Sequence, residues 1–200
     1  MQLHRYLHAL GTALPLFTSA ALAQLAPWKV ASIQTWQPSG RPGSSPNWYI
    51  HANITNPDPE QCNTDPAVAQ GQVYCEITWV YPNAPYNQVS ACQIVNTAAP
   101  TPWSWTVELL EGDGGDSYPV SNFALRWRAA STSPAAAGEN VAIFTGVGSF
   151  LTADNLQGNC AASGFCQWYL NPADTPFLVN ATSVSCAGPV AEALLDANCE

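Results

Sequence analysis

Basic residues are scarce in this chain. Its 200 residues include five lysines and arginines against fourteen aspartates and glutamates, which gives a formal net charge of −9 at pH 7. A surface with this balance repels the phosphates of nucleic acids and the head groups of anionic lipids. We therefore expect neither a nucleic acid nor a membrane as a partner.

Long apolar runs are absent after the first residues. A transmembrane helix needs ~20 consecutive apolar residues, and no later segment supplies them. Residues 1–23 have a weakly basic start, a short apolar stretch and the A-x-A pattern of Ala21 and Ala23, which is typical of a secretory signal peptide. We expect cleavage before Gln24 and a secreted, extracellular protein with one β domain over residues 24–200.

Zinc-type cysteine spacing is also missing. The sequence has no Cys-x-x-Cys pair, and His51 is the one histidine left after cleavage. Structural zinc sites depend on such spacings, so we expect no metal and no cofactor. Cysteines in an oxidising compartment indicate disulfide bonds, and an odd number leaves one thiol over. The seven cysteines are Cys62, Cys75, Cys92, Cys160, Cys166, Cys186 and Cys199.

Alternating apolar and polar residues occupy most of the chain. Trp48, Ile50, Ala52 and Ile54 alternate with polar neighbours, which is the period of two of a half-buried strand. Glycine and proline clusters separate such runs. The pattern predicts an all-β fold, a single-domain antiparallel sandwich or barrel. The predicted strands cover residues 28–36, 48–54, 73–79, 90–96, 103–109, 120–129, 141–151, 164–170 and 177–184.

The end of the chain has a different pattern. Within residues 190–198, Ala191, Leu194 and Leu195 are spaced for one apolar face of a helix. We therefore predict a short C-terminal helix, in an appended tail that spans residues 171–200.

Three segments, residues 38–43, 48–54 and 154–166, resemble small secreted proteins of filamentous fungi. Their order and spacing over residues 28–170 are similar to those of the Alternaria major-allergen family. The resemblance implies an all-β barrel and an allergen-like or effector-like role, with no common enzyme activity.

The same resemblance implies two local disulfide bonds, Cys75–Cys92 and Cys160–Cys166. The turn between the runs that contain Cys75 and Cys92 is compatible with the first bond. The small residues between Cys160 and Cys166 are compatible with the second.

Three cysteines remain outside these pairs. We expect Cys186 to pair with Cys199 across the predicted helix, which leaves Cys62 free or joining two chains in a homodimer. The alternative joins Cys62 to Cys186 or to Cys199 and ties the tail to the body.

No motif in the sequence joins a nucleophile, a base and an orienting acid. An imidazole can act as a general base near neutral pH, so His51 is a candidate for that role, but a solvated strand histidine is the favoured interpretation. Two acids ~5 to 10 Å apart would suit a glycosidase, but sequence spacing does not place them across a cleft. A solvated acidic surface is the simpler interpretation of Glu76, Glu108, Glu111, Asp113, Asp116 and Asp154.

The run over residues 111–116 combines acidic side chains with glycines. Hard oxygen ligands on a flexible loop suit calcium, but the run lacks EF-hand spacing and its closing glutamate. A hairpin turn explains the same residues, because glycine adopts positive φ without strain.

Eight tryptophans raise the possibility of a sugar-binding surface, since aromatic rings stack on sugar faces. Alternation places four of them in the core: Trp48, Trp79, Trp105 and Trp127. It leaves four unassigned: Trp28, Trp36, Trp103 and Trp168.

Two sequons predict N-linked glycans, one at Asn53 and one at Asn180. Each has the form N-x-T without a central proline.

The sequence thus favours a secreted, non-enzymatic interaction protein of fungal type, which acts on a host protein or on wall polysaccharide. The alternatives are a small extracellular carboxylate-dependent hydrolase and a carbohydrate-binding module. Two facing acids in a cleft would favour the hydrolase, whereas an exposed aromatic row would favour the sugar binder.

Overall fold

A computed structural model describes residues 26–55, 72–95, 103–112, 118–131 and 141–186, and these form twelve β-strands. Within these ranges, no helix is long and apolar enough to cross a lipid bilayer. The predicted helix over residues 190–198 lies outside them. The strands are β1 (Trp28–Gln37), β2 (Asn47–Thr55), β3 (Gln72–Val80), β4 (Val89–Ala91), β5 (Gln93–Val95), β6 (Trp103–Glu111), β7 (Asn122–Ser131), β8 (Val141–Leu151), β9 (Leu156–Cys160), β10 (Cys166–Leu170), β11 (Phe177–Val179) and β12 (Ala181–Cys186).

The strands form two antiparallel sheets. The first sheet has the order β5-β3-β2-β1-β10-β9, and β11 also pairs with β1, at residues 28–30, whereas β10 pairs with residues 34–37. The second sheet has the order β12-β8-β7-β6-β4. Their inner faces pack against one another around one apolar core, in which the rings of Trp28 and Trp105 have centroids 4.7 Å apart. The fold is therefore a sandwich, as the alternating pattern predicts, and the described strands do not close into a barrel.

The alternating pattern assigned four of the eight tryptophans to the core, and this prediction is confirmed. All four are buried: Trp48, Trp79, Trp105 and Trp127. Of the unassigned four, Trp28 and Trp103 are buried, whereas Trp36 and Trp168 are half-buried.

Two predicted strands are each divided between the sheets. The run over residues 90–96 separates at Cys92, because β4 pairs with β6 of the second sheet and β5 pairs with β3 of the first. The run over residues 177–184 separates at Asn180 in the same way, with β11 on β1 and β12 on β8. Residues that the sequence assigned to a tail thus contribute strands to both sheets.

The two local disulfide bonds are present. Cys75 of β3 is bonded to Cys92 with their Cα atoms 4.4 Å apart, and Cys160 of β9 is bonded to Cys166 of β10 with Cα atoms 4.0 Å apart. The first bond fixes one of the two sheet crossings, and the second closes the loop between β9 and β10. Cys62 and Cys199 lie outside the described residues, and Cys186 is the last residue of β12.

Candidate functional site

Aromatic and polar side chains cover the outer face of the first sheet. Strand register aligns two rows there, each with one residue from β3, β2, β1, β10 and β9. Since neighbouring strands lie ~4.8 Å apart, the rows are about 19 Å wide. The first row is Thr78, Tyr49, Trp36, Gln167 and Asn159, and the second is Glu76, His51, Gln34, Tyr169 and Gln157; together they are called the polar-aromatic face below.

A β-bulge in β1 places two of these side chains on the outer face. The register of β1 against β2 shifts between Val30 and Ser32, and such an extra residue reverses the alternation that follows it. Trp28 and Val30 therefore face the core before the bulge, whereas Trp36 faces outward after it. Strict alternation without the bulge would have placed Trp28 and Trp36 on the same side.

Near-parallel rings form the centre of the polar-aromatic face. Tyr49 stacks on His51 with centroids 4.1 Å apart and planes 12° apart, and Trp36 lies 5.7 Å from Tyr49 at 11°. Tyr74, one level further along the sheet, lies 5.4 Å from His51. Each of these four rings restricts the rotation of its neighbours, so the stack is ordered before any ligand binds. Tyr169, across β1, is 42% exposed.

The acid-base groups on this face centre on Glu76. Its carboxylate accepts hydrogen bonds from the Tyr74 hydroxyl (3.1 Å) and the Thr78 hydroxyl (3.0 Å), and Nε2 of His51 lies 3.7 Å from Oε1. The hydrogen bond from Thr78 is the largest cause that lowers the pKa of Glu76. Burial, followed by the hydrogen bond to Glu76, raises the pKa of Tyr74 to about 12, and burial also raises the pKa of Tyr49. Near neutral pH the face therefore presents one carboxylate beside protonated phenols.

The two sequon asparagines lie in different environments. Asn53, on the outer face of β2, is half-buried, and its Nδ2 atom donates a hydrogen bond of 2.9 Å to the Ser32 hydroxyl. That nitrogen is the atom to which an N-linked glycan is attached. Asn180 is exposed at the crossing between β11 and β12.

A depression adjoins the polar-aromatic face at the end of the sandwich where β1 passes to β2. Its volume is about 350 Å³. Its lining combines apolar rings and hydroxyl groups: Trp36, Pro38 and Phe165 with Ser39, Ser44, Ser45 and Ser163. Trp36 belongs both to the face and to the depression, so the two surfaces are continuous.

Glu76 and Glu108 do not form the pair of facing carboxylates that a glycosidase needs. Glu76 lies on the outer face of the first sheet, whereas Glu108 lies on the outer face of the second, on the other side of the core. Glu108 is also not the solvated acid expected from the sequence. It is 7% exposed, with Arg126 Nη1 at 3.3 Å and Arg128 Nη2 at 4.0 Å from Oε2.

The other sequence candidates supply no further site within the described residues. Glu111 and Asp154 are exposed. Asp113 and Asp116 lie outside the described residues, as does most of the run over residues 111–116. Among the residues that are described, no cluster of three histidines, cysteines, aspartates or glutamates could hold a metal ion.

Sequence reasoning had identified only part of this surface. It singled out His51 and Glu76 and left Trp36 unassigned, but it did not identify Gln34, Tyr169 or the serines of the depression. No protein-family model matches this chain, and neither does any curated protein or solved structure. The function is therefore inferred from the geometry of the face and the depression.

Proposed function

We propose that this chain is a secreted, non-enzymatic binding protein whose ligand is a neutral polysaccharide, bound on the polar-aromatic face. The observation that carries the proposal is the pair of rows in register across five strands, with Trp36 and Tyr169 among planar polar side chains. An open sheet face of this width suits an extended chain.

The side chains of the face match the chemistry of a sugar ring. A sugar ring has apolar C–H faces, which pack on aromatic rings, and hydroxyl groups at its rim, which both donate and accept hydrogen bonds. Each glutamine and asparagine amide likewise offers donors and an acceptor in one plane. Four such amides lie on the face: Gln34, Gln157, Asn159 and Gln167.

Charge favours a neutral ligand. The chain has a net charge of −9, and Glu76 is the one carboxylate among the ten residues of the face. An acidic polysaccharide would be repelled by both. A protein partner is less well suited, because the centres of protein interfaces are more apolar than this face.

Three further observations support the source of the ligand, the extracellular compartment and the absence of catalysis. The resemblance to secreted fungal proteins supports a wall polysaccharide as the ligand, and the two disulfide bonds support an oxidising, extracellular compartment. The hydrolase alternative is disfavoured because Glu76 and Glu108 lie on opposite outer faces of the sandwich.

Affinity electrophoresis and calorimetry test the proposal. Mature protein is measured against soluble β-glucan, xyloglucan and mannan, with polygalacturonate as the acidic comparison. We expect binding to at least one neutral polysaccharide and none to the acidic one. We also expect Tyr169→Ala to weaken binding about tenfold, which corresponds to the loss of one well-placed contact.

A second tyrosine provides the matched control. Tyr81 is 62% exposed and lies in the turn after β3, where its ring stacks on the core residue Trp48 and not on the rings of the polar-aromatic face. Tyr81→Ala should therefore leave affinity unchanged. Equal weakening by both variants, or the absence of binding to every neutral polysaccharide, would refute the proposal. Release of sugar fragments by the repurified protein would refute its non-enzymatic part.

A further inference from the structure

Two aromatic rings form the apolar walls of the depression. The ring centroids of Trp36 and Phe165 lie 4.4 Å apart and the ring planes are 68° apart. The two rings therefore form an apolar corner and not one flat surface. Pro38 adds a third apolar contact. An apolar corner of this kind packs against the C–H groups of a small ring better than a flat surface does, because more of the ring is removed from water.

The loops that supply the other walls are held in place. Gly164, in the loop closed by Cys160–Cys166, has φ +86°, and a Cβ at this position would lie 3.4 Å from the Ser39 carbonyl oxygen. The loop after β1 therefore approaches the loop between β9 and β10 closely. Within the first loop, the Ser44 amide donates to the Arg41 carbonyl over 3.0 Å. The depression is thus largely formed before a ligand arrives.

The four serine hydroxyls divide into donors and an acceptor. Three hydroxyls accept hydrogen bonds from backbone N–H groups two residues further along the chain, and each thereby keeps its own proton to donate: Ser39 (3.4 Å), Ser45 (3.2 Å) and Ser163 (3.4 Å). The Ser44 hydroxyl instead donates to the Arg41 carbonyl over 2.7 Å, which leaves its lone pairs to accept. No lining side chain carries a charge. Donors and an acceptor around an apolar corner match a neutral polyhydroxylated ring.

We infer that the depression is a second subsite of the polysaccharide site, in which one sugar ring contacts Trp36 and Phe165 and bonds to the serine hydroxyls. This inference rests on the proposed function. The volume of about 350 Å³ is close to the lower end of ligand cavities, which favours a single ring over an oligosaccharide. The rest of the chain continues past Trp36 onto the polar-aromatic face.

Binding measurements on matched variants test the subsite. Cello-, laminari- and manno-hexaose serve as probes, together with whichever neutral polysaccharide binds the unaltered protein. We expect Phe165→Ala to raise Kd about tenfold and the double variant Ser39→Ala with Ser45→Ala to raise it about fivefold. The controls are Leu178→Ala, an exposed apolar residue of β11, and Ser183→Ala, an exposed serine of β12. Both should leave Kd unchanged.

Nuclear magnetic resonance of the unaltered protein gives a second readout that does not depend on a variant folding. Saturation with the bound hexaose should shift the backbone amide signals of Ser163 and Phe165 and the indole signal of Trp36. The subsite is wrong, and the polysaccharide site stands, if Tyr169→Ala weakens binding but two other results are negative. These are that the three signals of the unaltered protein do not shift with hexaose, and that Phe165→Ala has the same Kd as the unaltered protein. If the unaltered protein binds none of the neutral glycans, both are wrong.

Discussion

The hydroxyl of Thr35 donates a hydrogen bond of 2.9 Å to the carbonyl oxygen of Val120, and this bond joins the two halves of the sandwich. Thr35 lies on β1 of the first sheet, and Val120 lies in the turn before β7 of the second. Both residues are fully buried, so water does not replace the bond if it is lost. A buried acceptor without a partner costs more than an average hydrogen bond contributes.

Thr35→Val should therefore lower the free energy of unfolding by about 1 to 2 kcal/mol, because it removes the donor while nearly keeping the shape. Urea unfolding followed by tryptophan fluorescence measures the change. Thr55→Val is the control, since that hydroxyl bonds to the Lys29 carbonyl at an exposed position and its loss should cost less than ~0.5 kcal/mol. Equal losses in the two variants would show that the inter-sheet hydrogen bond stabilises the fold no more than an exposed hydrogen bond does.

Gly146 permits the close packing of β8 against the first sheet. A Cβ at this position would lie 2.7 Å from Cγ1 of Val179 and 2.9 Å from Cζ3 of Trp28, both of which are buried. Gly146→Ala should destabilise the fold by about 1 to 3 kcal/mol through overpacking. Gly148→Ala should cost less, because its nearest atom is 3.0 Å away on the half-buried ring of Phe177. Thermal unfolding of both variants checks the order, and a larger loss at Gly148 would contradict it.

The carboxylate of Glu108 is buried beside two arginines on the outer face of the second sheet. Glu108→Gln keeps the shape but leaves the charges of Arg126 and Arg128 without this counter-charge. The loss should be about 2 kcal/mol, because the hydrogen bond from Arg126 loses its charged acceptor at a buried position. Glu111→Gln, on the same strand but exposed, should change stability by less than ~0.5 kcal/mol. Chemical unfolding of the two variants makes the comparison, and a small loss in both would exclude a structural role for the pair.

Alternation predicts which face of a strand a side chain occupies, but it does not predict which sheet the strand joins. The inward positions of Trp48 and Trp105 follow directly from the period of two. The crossings at Cys92 and Asn180 do not, because a run that changes sheets keeps a strand-like pattern on both sides of the crossing. The period of two also puts Glu108 on the opposite face of β6 from Trp105, but it does not report whether other side chains cover that face, and Glu108 is buried there.

The sequence alone did not predict the polar-aromatic face, for a related reason. Tyr169 is opposite Gln34 only because β10 pairs with β1, from which it is separated by more than a hundred residues. The position of Trp36 depends on the bulge after Val30, which the sequence does not mark with a glycine. Long-range register and one extra residue thus decide the site, whereas the strands themselves follow from local pattern.

The pair of Tyr74 and Glu76 links the stability of the fold to pH. The pKa of Tyr74 is raised from 10.0 to about 12, with burial as the largest cause. Between these values the folded protein keeps the phenol proton while the unfolded chain has lost it, so stability falls as pH rises from 10.0 to about 12. The pKa of Glu76 is lowered from 4.5, so its contribution is present above that pH and is lost as pH falls below it.

Glu76→Gln should lower the pKa of Tyr74, because the variant loses both the charged acceptor of the phenol hydrogen bond and the nearby negative charge. The pKa should nevertheless stay above 10.0, since burial is its largest cause and the variant does not change it. Nuclear magnetic resonance titration of the Tyr74 ring signals, assigned with Tyr74→Phe, measures the shift. Glu111→Gln, on the other sheet, should leave the titration unchanged. A Tyr74 pKa that is the same in Glu76→Gln and in the unaltered protein would show that the carboxylate does not hold the phenol proton.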